Sequence, residues 1–368
     1  MTDGVAHRLV QVPRGVQCFV GDEVLRRRAI EDVATGVFQG WDYEEIIPPL
    51  FDYADVFSTP GLAAQTYSFV DRDGNVLALR PDFTSLLAKI AAGRLAHRAA
   101  PMRLFYSGEV LRYEPPRAGR HDELFQMGLE HLGGERGGAD AEVVAIAAEC
   151  LEALGVRDGV IALGHVAVFN ALVDAAGVDP AARPALRDRV DAKDAAGVAA
   201  ALGGGQARMP ATEALIALTS LAGGVSILDR AAQAVSAVPA AAAAVGELRA
   251  LVDALGAAGL GERIAIDLGE VRGLDYYTGL VFRIFAPGLG FEVGSGGRYD
   301  GLLARFGRPL PAVGFMLGLD RIALLLEKQG AIPPSAPAAA EVVGSLGEAC
   351  RRRREGARVR LVPGEGRG

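Results

Sequence analysis

The chain carries no excess of basic charge: 38 lysines and arginines stand against 45 aspartates and glutamates, a formal net charge of -7. Such a chain has no global attraction for a phosphate backbone, which argues against a protein whose main partner is nucleic acid and makes any phosphate binding local. Cysteine is scarce. Cys18, Cys150 and Cys350 are far apart and form no CxxC pair, so neither a zinc site nor a disulfide framework is expected, and a reducing cytoplasm fits. No run approaches about 18 uninterrupted apolar residues, and the opening stretch lacks a charged start followed by an apolar core, so neither a membrane span nor export is expected. Internal repeats are absent as well. What remains is 368 residues of which 50% are hydrophobic, enough for one large or two modest cores.

Periodicity divides this material into elements. Leu25, Ala29, Val33 and Val37 recur four apart and predict one apolar helix stripe over 22–38, followed by a turn into a short strand that Pro48 and Pro49 close. Asp82 and Thr84 precede Leu86-Leu87-Ala-Lys-Ile-Ala-Ala, a helix start with a side-chain cap. A helix from about Glu142 is predicted by Val143, Ile146, Ala147, Cys150, Leu151 and Leu154, and Gly155 ends it. Between 166 and 262 the composition shifts to Ala, Leu, Asp and Arg, which predicts a helical insertion splitting a core of residues 1–165 and 263–330. Strands return at Ile264–Leu268 and Leu280–Phe285, before an apolar helix over 318–328. Residues 331–368 read as a linker and short tail, with a helix-like piece at Arg351–Arg354 and a strand-like run from Ala357.

Three segments hold residues suited to chemistry. In Leu124-Phe-Gln-Met-Gly-Leu-Glu130, Phe125, Met127 and Leu129 point one way and Gln126, Gly128 and Glu130 the other, which makes either a polar, open floor or simply the wet face of an antiparallel sheet. Upstream, Arg112 and Arg120 lie on a long loop. Arginine forks suit carboxylates and phosphates, although an arginine on a loop, taken alone, is usually a solvated charge. In the third segment Tyr276 and Tyr277 are adjacent at a predicted strand entrance, so they are expected to face opposite sides, with at most one in a core.

Taken in order, Arg80-Pro-Asp-Phe-Thr84, Arg112-Tyr-Glu, Phe125-Gln, Arg272-Gly-Leu-Asp-Tyr-Tyr, Gly296-Gly-Arg-Tyr-Asp-Gly and Val313-Gly-Phe-Met-Leu-Gly-Leu-Asp-Arg321 resemble the core of a class II histidyl-tRNA synthetase over about residues 10–330. The resemblance implies an α+β fold: an antiparallel six- or seven-stranded sheet flanked by helices, dimerising through the segment around Ile46–Tyr53. It also implies a histidine site made of Asp82, Thr84, Arg112, Gln126, Glu130, Arg272, Tyr276 and Tyr277. Arg112 matches the arginine that meets the histidine carboxylate or an α-phosphate. Asp82, Thr84 and Gln126 fall where the amino group is held, and Glu130 and Tyr277 fall where the imidazole is read. Arg272 matches the arginine of the histidine motif, while Arg120 and Arg321 match phosphate contacts. Imidazole offers one donor and one acceptor, which a carboxylate and a phenol satisfy. A ligand without ring nitrogens would leave Glu130 unpaired, at a cost of about 1–3 kcal/mol or more.

Two branches share this core. Synthetases carry Arg-Pro-Glu-Gly-Thr where this chain has Arg80-Pro-Asp-Phe-Thr84, place an aromatic at the position of Leu124, and follow the core with an anticodon-binding domain. The departures resemble the regulatory paralogues, the regulatory subunits of ATP phosphoribosyltransferase. That likeness implies a non-catalytic chain of histidine biosynthesis that needs no cofactor or metal. It would bind L-histidine, form a homodimer within a hetero-oligomer containing the short-form catalytic subunit, and use neither tRNA nor a membrane. A histidine-activating ligase that retains Arg112, Arg272 and Arg321 is the alternative reading, and a scaffold with a vestigial pocket is a third.

Overall fold

The computed structural model describes residues 10–113, 121–203, 209–271, 276–331 and 341–362. Helix α1 (Asp22–Gly40) opens with Asp22 and Glu23, whose charges suit a helix N-terminus. It leads into β1 (Glu44–Glu45) and β2 (Phe51–Tyr53). After the short α2 (Pro60–Ala63), strands β3 (Ser68–Val70) and β4 (Val76–Leu79) form a small sheet with β2, in the order β2-β4-β3. Next come α3 (Thr84–Ala92), β5 (Met102–Leu111), β6 (Glu123–Leu132), α4 (Gly138–Ala153) and β7 (Val160–His165).

The stretch that follows is almost wholly helical: α5 (Val166–Ala175), α6 (Arg183–Asp191), α7 (Ala195–Ala201), α8 (Pro210–Leu218), the two-residue β8 (Ala222–Gly223), α9 (Ile227–Val235) and α10 (Pro239–Ala257). Strands β9 (Ile264–Asp267), β10 (Leu280–Phe285), β11 (Gly294–Arg298) and β12 (Ala312–Gly318) then precede α11 (Leu319–Lys328). A final unit pairs β13 (Glu341–Val343) in parallel with β14 (Val359–Leu361) around α12 (Leu346–Arg354). In α12, Arg352 pairs with Glu341 and Glu355, while Arg351, Arg353 and Arg354 are exposed. Among the described residues no helix is long and apolar enough to cross a membrane.

The main sheet runs β1-β5-β6-β12-β11-β10-β7-β9-β8. Its six strands from β5 to β7 are antiparallel throughout. The sheet is larger than the six or seven strands expected and not uniformly antiparallel, since β1 pairs β5 and β9 pairs β7 in parallel. β1 falls in the short strand expected before Pro48 and Pro49, whereas the two-residue β8 is too short to leave a period-2 pattern in the sequence.

The two faces of this sheet differ. On one, Phe105, Met127, Leu129, Phe282 and Phe315 join a single apolar cluster with α1, α4 and the helices of 166–257. On the other, Leu104, Tyr106, Tyr276 and Tyr299 pack with Phe83, Leu87 and Ala91 from the α3 region. The helices of 166–257 therefore share their core with the sheet.

Two expectations about helices shift. Helix α4 starts at Gly138, four residues before Glu142, because the Asp140 carboxylate accepts the Gly137 N–H at 2.9 Å and fixes the first turn. The buried stripe of α1 is Ile30, Ala34, Val37 and Phe38, whereas Leu25 and Val33 stay 38% and 37% exposed. Repeated steps of four advance about 40° beyond a full turn each, so Leu25 and Val37 end about 120° apart on the helix surface. Alternating steps of four and three hold one face. We expect Ile30→Ala to cost about 2–5 kcal/mol and Val33→Ala to stay within about 0.5 kcal/mol of neutral in urea unfolding; the reverse order would restore the original stripe.

Candidate functional site

On the second face of the sheet lies a cavity of about 460 Å³. Its floor comes from β6, which places Gln126 and Glu130 on the side opposite Met127 and Leu129. The polar row is not a wet face: Gln126 is 4% and Glu130 1% exposed. Seven residues singled out from the sequence line this one cavity: Asp82, Thr84, Arg112, Gln126, Glu130, Tyr276 and Tyr277. Arg120 and Arg272 lie outside the described residues. Arg321 is not in the lining; it stands behind Glu292, which is, and donates to the Glu292 carbonyl and carboxylate at 2.8 Å each.

Glu130 organises the floor. Thr84 donates its hydroxyl to Oε1 at 2.7 Å, and the Tyr299 hydroxyl donates to Oε2. Burial pushes the Glu130 carboxyl up to about 8, against the pull of these two donors, and the nearby charge of Asp82 adds to the rise. Two glycines make the room. A Cβ on Gly314, the cross-strand partner of Glu130, would sit 1.7 Å from Glu130 Oε2, and one on Gly128 would sit 2.3 Å from the Phe315 carbonyl oxygen.

Asp82 forms the side of the cavity and starts α3. Its carboxylate accepts the Ser85 N–H at 3.2 Å and the Ser85 hydroxyl at 3.1 Å, so it supplies the cap that Phe83, the residue flanking the helix, lacks. Burial raises its carboxyl, and Arg112 is the largest opposing influence. Arg112 itself is oriented by donating from Nε to the Pro81 carbonyl at 2.6 Å.

The two adjacent tyrosines correct an expectation. Tyr276 and Tyr277 precede β10 rather than belonging to it, so strand alternation does not separate them. Both line the cavity, with ring centroids 5.2 Å apart and edge to face; Tyr276 and Tyr299 make a second such contact at 5.7 Å. Burial keeps the Tyr277 phenol neutral well beyond its ordinary range, and the charge of Glu130 reinforces this, so the phenol can both donate and accept.

Sequence reasoning missed Tyr106, Tyr299, Glu270 and Arg283, all in the lining. Tyr299 lay inside a segment already singled out, and its position next to Arg298 was the available signal. Glu270 and Arg283 meet only through the sheet: Arg283 Nη2 is 2.8 Å from Glu270 Oε1. Burial lifts the Glu270 carboxyl to about 7, with Arg283 the main opposing influence. Chemically, the cavity lining offers carboxyl groups, neutral phenols and an oriented guanidinium, a set complementary to a small zwitterion with a ring that both donates and accepts hydrogen bonds.

Comparison with known proteins gives this geometry a family. The histidyl-tRNA synthetase family pattern matches residues 15–322. Over 318 residues, 86% of this chain and 82% of the relative, the sequence is 40% identical to the ATP phosphoribosyltransferase regulatory subunit of Moorella thermoacetica. The chain belongs to the family of ATP phosphoribosyltransferase regulatory subunits. A second member, from Desulforamulus reducens, is 38% identical over 332 residues, 90% of this chain and 82% of that one. Among solved structures, the ATP phosphoribosyltransferase regulatory subunit/histidyl-tRNA synthetase of Bacillus halodurans superposes with a TM-score of 0.86 at 28% identity, covering 97% of this chain and 94% of its own. A histidine–tRNA ligase subunit from Alicyclobacillus acidocaldarius gives 0.75 at 30% identity, over 87% and 98%. The chain thus has the α+β synthetase-like fold of these relatives, and its cavity lies on the sheet face opposite the 166–257 helices.

The raised Glu130 carboxyl has a thermodynamic consequence. Because its folded value, about 8, lies above the ordinary 4.5, the folded chain keeps a proton that the unfolded chain releases. Stability from this group is fully present below about 4.5 and is lost as pH rises through about 8. Glu130→Gln stays neutral at every pH. Its melting temperature relative to the parent chain should therefore climb between about pH 5 and pH 8 and level off above, in melts run across that series; a constant difference would mean that Glu130 titrates normally.

Proposed function

We propose that this chain binds L-histidine in the β6 cavity and regulates a separate, short-form ATP phosphoribosyltransferase catalytic subunit, which condenses ATP with phosphoribosyl pyrophosphate in the first step of histidine biosynthesis. It activates that subunit and relays feedback inhibition by histidine, without catalysing a reaction itself, in the cytoplasm. The observation that carries the ligand reading is Glu130, buried between the Thr84 and Tyr299 hydroxyls with the neutral Tyr277 phenol in the same lining. A carboxyl and a phenol meet both nitrogens of an imidazole.

Asp82 and Gln126 then take the ammonium group, Tyr276 closes over Asp82, and Arg112 takes the carboxylate. Arg272 joins this set by its place in the family motif. In the active assembly histidine must bind differently from the inhibited one, with a coupling of about 1–3 kcal/mol. Ile47, Leu50, Phe51 and Tyr53 are exposed apolar side chains, and Phe51 packs edge to face on Phe69. These support a homodimer through the 46–53 segment, built into a hetero-oligomer with the catalytic chain.

Calorimetry with L-histidine tests the pocket. Glu130→Ala should weaken binding by about tenfold or more, as expected when a hydrogen bond to a charged or strongly polar buried group is lost, and Tyr277→Phe by a smaller factor. Circular dichroism should show both variants folded. Equal affinity in the parent and both variants would remove histidine from this cavity.

A further inference from the structure

Directly behind the cavity floor, on the helix-covered face of the sheet, charged side chains form a chain of contacts that leads into the 166–257 helices. Arg298, the last residue of β11, is 1% exposed. Its Nε donates to Asp140 at the start of α4 at 2.8 Å, and its Nη1 donates to Asp300 at 2.9 Å. The other Asp300 oxygen accepts from Arg136 Nη2 at 2.8 Å, and Arg136 Nη1 reaches Glu247 of α10 at 3.4 Å. Glu247 in turn lies 3.4 Å from Nε2 of His165, which ends β7.

Arg298 ends β11 and meets Asp140 on the helix-covered face, whereas Tyr299, the next residue, packs in the apolar cluster of the opposite face. One side chain therefore joins this network while the next donates its hydroxyl to Glu130 in the cavity. Their backbone is pinned by the same neighbour: Tyr299 N–H donates to the Ala312 carbonyl at 2.8 Å, and Ala312 N–H donates to Asp300 at 3.1 Å. A buried guanidinium cannot give up its carboxylates cheaply, so Arg298, Asp140 and Asp300 move as a unit when the strand end moves.

We propose that Arg298 is a positioning residue that couples the Glu130–Tyr299 contact to helix α10 through Asp300, Arg136 and Glu247. A ligand that takes Glu130 changes the hold on Tyr299, shifts the end of β11 and is felt in the helices of 166–257. The identity of the ligand rests on the histidine reading; the wiring does not.

Hydrogen exchange over Pro239–Ala257 tests it, with histidine binding followed separately by calorimetry. Saturating histidine should slow exchange there by about threefold or more in the parent chain. Asp300→Asn, and Arg136→Gln whose side chain is 48% exposed, should still bind histidine but lose that response, which a merely structural role would not produce. Without ligand, Tyr299→Phe and Glu130→Gln should speed exchange in the same helix. Unchanged exchange in α10 both on histidine binding and in the two cavity variants would overturn the coupling. If calorimetry finds no histidine binding, the ligand reading fails, and the cavity variants alone decide the wiring.

Discussion

A carboxyl group buried at the centre of a sheet has to be met by donors, and the arrangement around Glu130 follows from that requirement. Thr84 comes from the first turn of α3 and Tyr299 from just beyond β11, so two elements distant in sequence are tied to the same side chain on β6. Gly314 leaves the space in which the carboxyl sits, and Gly128 leaves room for the Tyr106 phenol beside it. Loss of either hydroxyl would leave one oxygen of a desolvated acid unpaired, at a cost of about 1–3 kcal/mol.

The sheet divides the labour between its faces. Its apolar face is sealed by α1, α4 and the helices of 166–257 in one continuous cluster, which makes the strands rigid. That rigidity lets the other face keep an open polar cavity without collapsing. Arg298 and Tyr299, neighbours on opposite faces, are the point where the two sides meet. This junction is the one the proposed coupling uses to carry a signal from one face to the other.

Much of this was readable from residues alone. Strict alternation from Phe125 to Glu130 assigned each side chain of β6 to its face, and seven of the cavity residues belong to segments recognisable by their order along the chain. What escaped did so for physical reasons. Glu270 and Arg283 approach each other only because β9, β7 and β10 are neighbours in the sheet. The buried stripe of α1 follows the alternating steps of four and three through Ile30, Ala34 and Val37, which repeated steps of four drift away from. Tyr276 and Tyr277 were assigned to opposite sides by a strand rule that does not apply before Leu280. Burial turned the polar floor from a wet surface into the lining of a cavity, and burial is a tertiary property that no single strand announces.

The central claim is regulation, and the most direct measurement is phosphoribosyl-ATP synthesis by the short catalytic subunit of the same organism, with and without this chain, while histidine is titrated. The account predicts a catalytic subunit that is activated by this chain and inhibited again by histidine. A rate indifferent to the chain at every histidine concentration, together with histidine-dependent pyrophosphate exchange by the chain alone, would contradict it.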